Sequence, residues 1–202
     1  MLAMSIAGGI IGPFSEYWYF KDYWNPPMIL RPSWPFGGLE DVLFGFAIGG
    51  IAAAAYEVLL RERLVCPTAS KRRQNWVLLV FPAAVVMSLL ILTDIFGLNS
   101  IYASSVAFLI LFALMVKLRP DLFRDAIFSG LLVMLVMFAI YFFYLPSFIG
   151  RYGRELWQLY GTSGGVLILG RVPLTEMLWG MTWGMVGGPL YEFWRGCKLR
   201  PA

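Results

Sequence analysis

Histidine is absent from all 202 residues. Imidazole acid–base catalysis and His-ligated haem, iron or zinc are therefore excluded. Cysteine is limited to Cys66 and Cys197, too few for a thiolate cluster; each stands near basic residues at a helix end, so two free thiols are expected. Charged residues make up only 14% of the chain, where a soluble domain carries about 25%. No Gly-x-Gly-x-x-Gly turn offers a dinucleotide or flavin site, and no aspartate-rich motif offers magnesium to a diphosphate. No Lys lies inside an apolar run, which leaves no candidate for a Schiff base in the membrane. Neither a metal site nor a cofactor is expected.

What is present is apolar sequence, 59% of the chain. Runs long enough to cross a hydrocarbon layer of roughly 30 Å cover Leu39–Leu60, Trp76–Phe96, Ile101–Val116, Ala126–Leu145 and Leu174–Trp194. The expected fold is an all-α integral membrane protein with five full transmembrane helices. A short apolar helix within Met1–Phe14 precedes them, too short to cross alone and without the basic start or cleavage pattern of a secretory signal. Basic residues cluster in Arg61–Arg73, Lys117–Arg124 and the tail, all on one face of a five-span bundle. The positive-inside rule assigns that face to the cytoplasm of a multi-pass cell-membrane protein. The net charge of +4 thus reads as membrane anchoring, with no nucleic-acid partner implied. Two aromatic stretches, Phe14–Gly38 and Pro146–Pro173, fall on the opposite side and are expected to lie at the interface as lids over an apolar cavity.

An ungapped shift lays Leu39-Glu40-Asp41-Val42-Leu43-Phe44-Gly45 on Leu174-Thr175-Glu176-Met177-Leu178-Trp179-Gly180, with further identity at Gly49 and Gly184 and at Tyr56-Glu57 and Tyr191-Glu192. Both copies run in one direction, which predicts a parallel internal repeat. Within each copy the acid and the glycines recur at intervals of four: Asp41, Gly45, Gly49 and Glu176, Gly180, Gly184, Gly188. Residues at that spacing share a helix face, and small side chains there allow close packing in lipid. Packing α-helices through these faces is expected to bring Asp41 and Glu176 together to share one proton. Asp94 is a third acid within an apolar run, and such groups are functional candidates because they are costly in a membrane. Tyr56-Glu57 and Tyr191-Glu192, beside Arg61 and Arg195, read as surface ion pairs at helix ends.

The aromatic stretch Tyr17-Trp18-Tyr19-Phe20 followed by Leu39-Glu40-Asp41-Val42-Leu43-Phe44, and later Trp157 followed by Pro173-Leu174-Thr175-Glu176-Met177-Leu178-Trp179, resembles the membrane-embedded lycopene cyclases of the heterodimeric bacterial and fused archaeal or fungal type. Gly38 stands where that family has a proline, and Thr175 where it has an acid. The resemblance implies two cyclase-like modules, residues 1–60 and 99–202, joined by a linker loop and helix over 61–98. It implies catalytic roles for Glu40, Asp41 and Glu176 and an acid-initiated, non-redox cyclisation of a linear carotenoid or related isoprenoid. Such chemistry needs a proton donor in an apolar site and a wall that stabilises a carbocation. Trp18, Trp24, Trp34, Phe44, Trp179 and Trp183 are the aromatic faces available for substrate binding. A second membrane subunit or a homodimer is a possible partner beside the bilayer itself. The competing class is a non-catalytic membrane subunit or a transporter; the apolar centres of the spans favour a lipid-soluble substrate.

Overall fold

The computed structural model describes residues 1–28, 36–60, 62–66 and 75–201. The chain is mostly helical: α1 (Leu2–Asp22), α2 (Leu39–Leu60), α3 (Val77–Leu90), α4 (Ser100–Leu118), α5 (Phe123–Tyr152), α6 (Leu174–Gly187) and α7 (Leu190–Arg195). Four short strands, β1 (Glu62–Val65), β2 (Leu167–Ile168), β3 (Val172–Pro173) and β4 (Lys198–Pro201), form two antiparallel pairs, β1 with β4 and β2 with β3. Among the described residues three helical stretches are long and apolar enough to cross a membrane: Val77–Ile95, Ser100–Leu118 and Pro120–Ser147. The outward surfaces of α3 and α5 are correspondingly apolar, with Leu79, Met87, Leu135 and Phe143 all exposed.

Three predicted elements change. The N-terminal helix does not stop at Phe14 but continues through Pro13 to Asp22, giving 21 residues and a length of roughly 30 Å. The predicted stretch Phe14–Gly38 therefore begins as helix. Likewise α5 runs 30 residues to Tyr152 and contains Pro146 in its interior. The predicted span Leu174–Trp194 is not one helix: α6 has 14 residues, too few to cross alone, and Gly188-Pro189 separates it from α7. By contrast α2 has the predicted bounds.

The glycine faces pack differently from the expectation. Gly45 and Gly49 of α2 lie against Gly8 and Met4 of α1, while Gly180 and Gly184 of α6 lie against Met137, Ser129 and Val133 of α5. Each stripe thus closes an antiparallel hairpin, α1 with α2 and α5 with α6. The hairpins meet where Phe44 rests on Trp179, 6.3 Å between ring centres, and Gly187 sits against Ala52. These two contacts make α2 and α6 run in the same direction. At one end of the bundle the aromatic stretches join: Trp24 bridges Trp157, Asn25 N–H donates to the Leu156 carbonyl at 2.8 Å, and Gln158 N–H donates to the Tyr23 carbonyl at 2.8 Å.

The opposite end is closed covalently. Cys66 and Cys197 are not free thiols but form a disulfide across 131 residues, directly after the pairing of Val65 with Lys198. Arg119 reinforces this end by donating to the Cys197 carbonyl at 3.1 Å and by a bidentate pair with Asp121. Glu192 is buried and not at the surface as expected, and Arg195 lies over the Trp194 ring. Side chains of Tyr56 and Glu57, and Arg61 as a whole, lie outside what is described. Closing so long a loop is worth about 4 to 5 kcal/mol in the chain-entropy picture. Reduction, or Cys197→Ser, is expected to lower the unfolding temperature in detergent, with a mobility difference between reducing and non-reducing gels; identical behaviour in both would remove the bond.

Candidate functional site

Along α1 the positions Gly8, Gly12, Glu16, Tyr19 and Tyr23 follow intervals of three and four, so they share one face. Glu16, Tyr19 and Tyr23 are all buried, and this face looks into the bundle. Across from it, the first turn of α6 carries Thr175 and Glu176, and the same side of α6 continues to Trp179 and Trp183. The result is a polar cluster at the end of the bundle where Trp24 meets Trp157.

Glu176 is its centre. The Tyr23 hydroxyl donates to Glu176 Oε1, and the Tyr141 hydroxyl of α5 donates to Oε2 at 2.9 Å. The Tyr23 oxygen also lies 3.0 Å from Thr175 Oγ1, a pair in which either group can donate. Trp179 Nε1 donates to the Tyr19 hydroxyl at 2.8 Å. Thr175, Tyr23, Glu176 and Tyr141 therefore form one chain of hydroxyls around a carboxyl group. A carboxylate is satisfied when both tyrosines donate to it. A carboxylic acid is satisfied when its own O–H points to Tyr23 and the Tyr23 hydroxyl turns to Thr175. The site can hold a proton or release it without leaving a buried polar atom bare.

Aromatic rings line the next two turns. Trp179 and Trp183 stack at 6.2 Å and 15°, and Phe108 of α4 meets both, at 6.3 Å from Trp179 and 5.5 Å from Trp183. Phe44 of α2 completes the wall; it is 44% exposed, so the wall reaches the lipid-facing surface. A separate apolar groove of about 190 Å³, lined by Met134, Leu135, Phe138 and Met177, lies on the opposite face of α6 from Glu176. It is not continuous with the acid.

The remaining sequence candidates are placed as follows. Asp41 is buried, but its Oδ2 accepts from the Gly38 N–H at 2.7 Å and packs on Gly37, so from the first turn of α2 it reaches back to cap its own helix. No hydrogen bond joins it to Glu176 among the described residues. Glu40 is half-buried beside it. Trp18 lies off the buried stripe and meets Tyr17 edge-on at 5.2 Å. Trp34 lies outside the described residues. Asp94 is exposed and accepts from Thr93 in the last turn after α3. Sequence reasoning missed Glu16, Tyr23 and Tyr141. The signal for the first two was the continuation of the Gly8–Gly12 stripe past Phe14; for Tyr141 it was a hydroxyl within an otherwise apolar run. Glu16 accepts from Trp24 Nε1 at 2.9 Å and lies within electrostatic reach of both Asp41 and Glu176.

Comparison with known sequences adds one match: residues 99–194 fit the family model described as lycopene cyclase. No match was found among curated proteins or among solved structures.

Proposed function

We propose, from the match of residues 99–194 to the lycopene cyclase family model, that this membrane protein is an enzyme closing a ring at the end of a linear carotenoid, with Glu176 as the proton donor. The observation that carries this reading is the buried Glu176, held by two tyrosine hydroxyls and followed at one and two helical turns by the stacked Trp179 and Trp183. In the reaction the Glu176 O–H breaks and a C–H bond forms at the terminal double bond. The resulting tertiary cation is attacked by a nearby double bond to close the ring, and loss of a ring proton restores neutrality. No electrons leave the substrate, so product and substrate have one mass and no redox cofactor is consumed. Aromatic faces stabilise the cation, each by about 0.5 to 2 kcal/mol. Phe44 supplies the entry from lipid, in keeping with a substrate that never leaves the membrane.

The fold supports a parallel repeat behind this site. Gly45 meets Gly8 as Gly180 meets Met137, and Gly49 meets Met4 as Gly184 meets Val133. By that correspondence Asp41 is the counterpart of Glu176, and Gly12 stands where the second hairpin has Tyr141. The first copy has thus lost the hydroxyl that would hold its acid, and its carboxyl group caps the helix instead. Of the three acids implied by the resemblance, Glu176 is assigned the chemistry, and Glu40 and Asp41 supporting places.

The test is expression in cells that accumulate lycopene, with and without a neighbouring membrane subunit, followed by pigment separation. A product of unchanged mass and altered absorption is expected. Unchanged lycopene beside well-folded protein moves the reading to a non-catalytic subunit. Tyr141→Phe removes one neutral hydrogen bond to Glu176, worth about 0.5 to 1.5 kcal/mol, so turnover is expected to fall by up to about tenfold without being lost. Complete loss in this variant, with the protein still folded, would show that Tyr141 does more than supply one hydrogen bond.

A further inference from the structure

We infer that Glu16 is the second carboxyl group of this site and accepts the proton that leaves the newly closed ring. The inference rests on the cyclase reading above and adds a residue that lies outside the family match and outside the repeated acidic motifs.

The position argues for it first. Glu16 is only 5% exposed, a carboxyl group buried among the aromatic residues in the last two turns of α1. A carboxyl group there costs several kcal/mol unless it serves a partner or a cavity. It shares the α1 face of Tyr19 and Tyr23, which are the residues that reach Trp179 and Glu176. Its partner Trp24 directly follows Tyr23, the residue whose hydroxyl donates to Glu176, so Glu16 lies beside the same cluster. The Trp24 indole N–H donates to one of its oxygens, a contact that favours a group able to carry negative charge.

The chemistry argues for it second. Ring closure adds a proton at one carbon and removes one from another, so a donor and an acceptor at different places are needed. The repeat's other acid does not fill the second place, because Asp41 is committed to the Gly38 N–H at the start of α2. Glu16 is the remaining buried carboxyl group among the described residues that faces this cluster. In the completed cycle the ring C–H breaks, its electron pair forms the new double bond, and the proton goes to the Glu16 carboxylate. Loss of that proton from Glu16 and uptake of one by Glu176 restore the starting state, with no net change in atoms or electrons.

The experiment uses membranes containing the full chain and an acyclic polyene with lycopene-type ends, comparing wild type, Glu16→Gln, Glu16→Asp and Asp41→Asn. A lost acceptor changes where the cation is resolved. Glu16→Gln is expected to lower turnover at least tenfold and to alter the ring double-bond position or give a product heavier by one water. Glu16→Asp is expected to restore the wild-type ring isomer, and Asp41→Asn to leave the isomer unchanged. Thermal unfolding in detergent is measured on each, since a purely structural role for Glu16 lowers the amount of folded enzyme without moving the isomer ratio. A wild-type isomer ratio in both Glu16 variants overturns the inference while leaving Glu176 as donor. Absence of cyclisation by the wild type overturns the reading of the whole site, and this inference with it.

Discussion

Glu176→Gln is expected to lower the yield of cyclised pigment by at least about a hundredfold while the protein remains folded. Removal of a general acid typically costs a factor of about 10² to 10⁴. The amide keeps one oxygen to accept from Tyr141 and an NH₂ group beside Tyr23, so the chain of hydroxyls around position 176 stays largely satisfied. What the amide lacks is a proton it can give to carbon. The effect should therefore appear in pigment composition and not in the unfolding temperature, and Glu176→Asp should recover part of the activity, limited by a shorter reach. Equal pigment yields from wild type and Glu176→Gln would exclude the acid role outright. A large drop in unfolding temperature together with lost activity would instead make Glu176 a structural keystone, and the Tyr141→Phe result would then follow stability rather than turnover.

The second half of the site was legible in the sequence and the first half was not, for physical reasons that differ residue by residue. Glu176, Trp179 and Trp183 fall on one face of a single helix, so spacing alone places them together, and the structure does bring the two rings into a stack. Phe44 reaches the same wall because α2 and α6 run side by side. Asp41 misled because its spacing from Gly45 matches that of Glu176 from Gly180, yet the glycine faces serve the hairpins α1–α2 and α5–α6. Spacing fixes which face an acid lies on, not which neighbour covers that face. Glu16 was missed because Pro13 and the run of aromatic and charged residues after it resemble the end of a helix, whereas the helix continues through them. The disulfide was missed for a simpler reason: the pairing of β1 with β4 joins the first half of the chain to its tail, a contact that no local pattern foretells.

Gly45→Val is expected to destabilise the protein by about 2 kcal/mol or more and to reduce activity further than the loss of folded protein explains. A Cβ at Gly45 would press into the Gly8 carbonyl, and a Cβ at Gly8 would press into the Gly45 carbonyl, so neither helix can accommodate a side chain without moving. The next turns are nearly as close: a Cβ at Gly12 would lie 2.6 Å from the Asp41 carbonyl oxygen and one at Gly49 2.5 Å from that of Met4. Backbone, unlike a flexible side-chain tip, cannot step aside alone, and overpacking of this kind costs typically 1 to 3 kcal/mol. The displacement also carries a functional consequence, because α1 holds Glu16, Tyr19 and Tyr23 on the face that this contact seats against the bundle. Separating α1 from α2 by even an ångström lengthens the Tyr23 to Glu176 hydrogen bond and withdraws Glu16 from the site. Gly150 is the matched control: it is helical, with open space where a Cβ would lie, so Gly150→Ala should be neutral or stabilise by up to about 1 kcal/mol. Thermal unfolding and pigment yield measured on both variants separate the two effects. Gly45→Val with wild-type stability would mean that α1 and α2 do not pack through their glycines, and the α1 contribution to the site would fall with that contact.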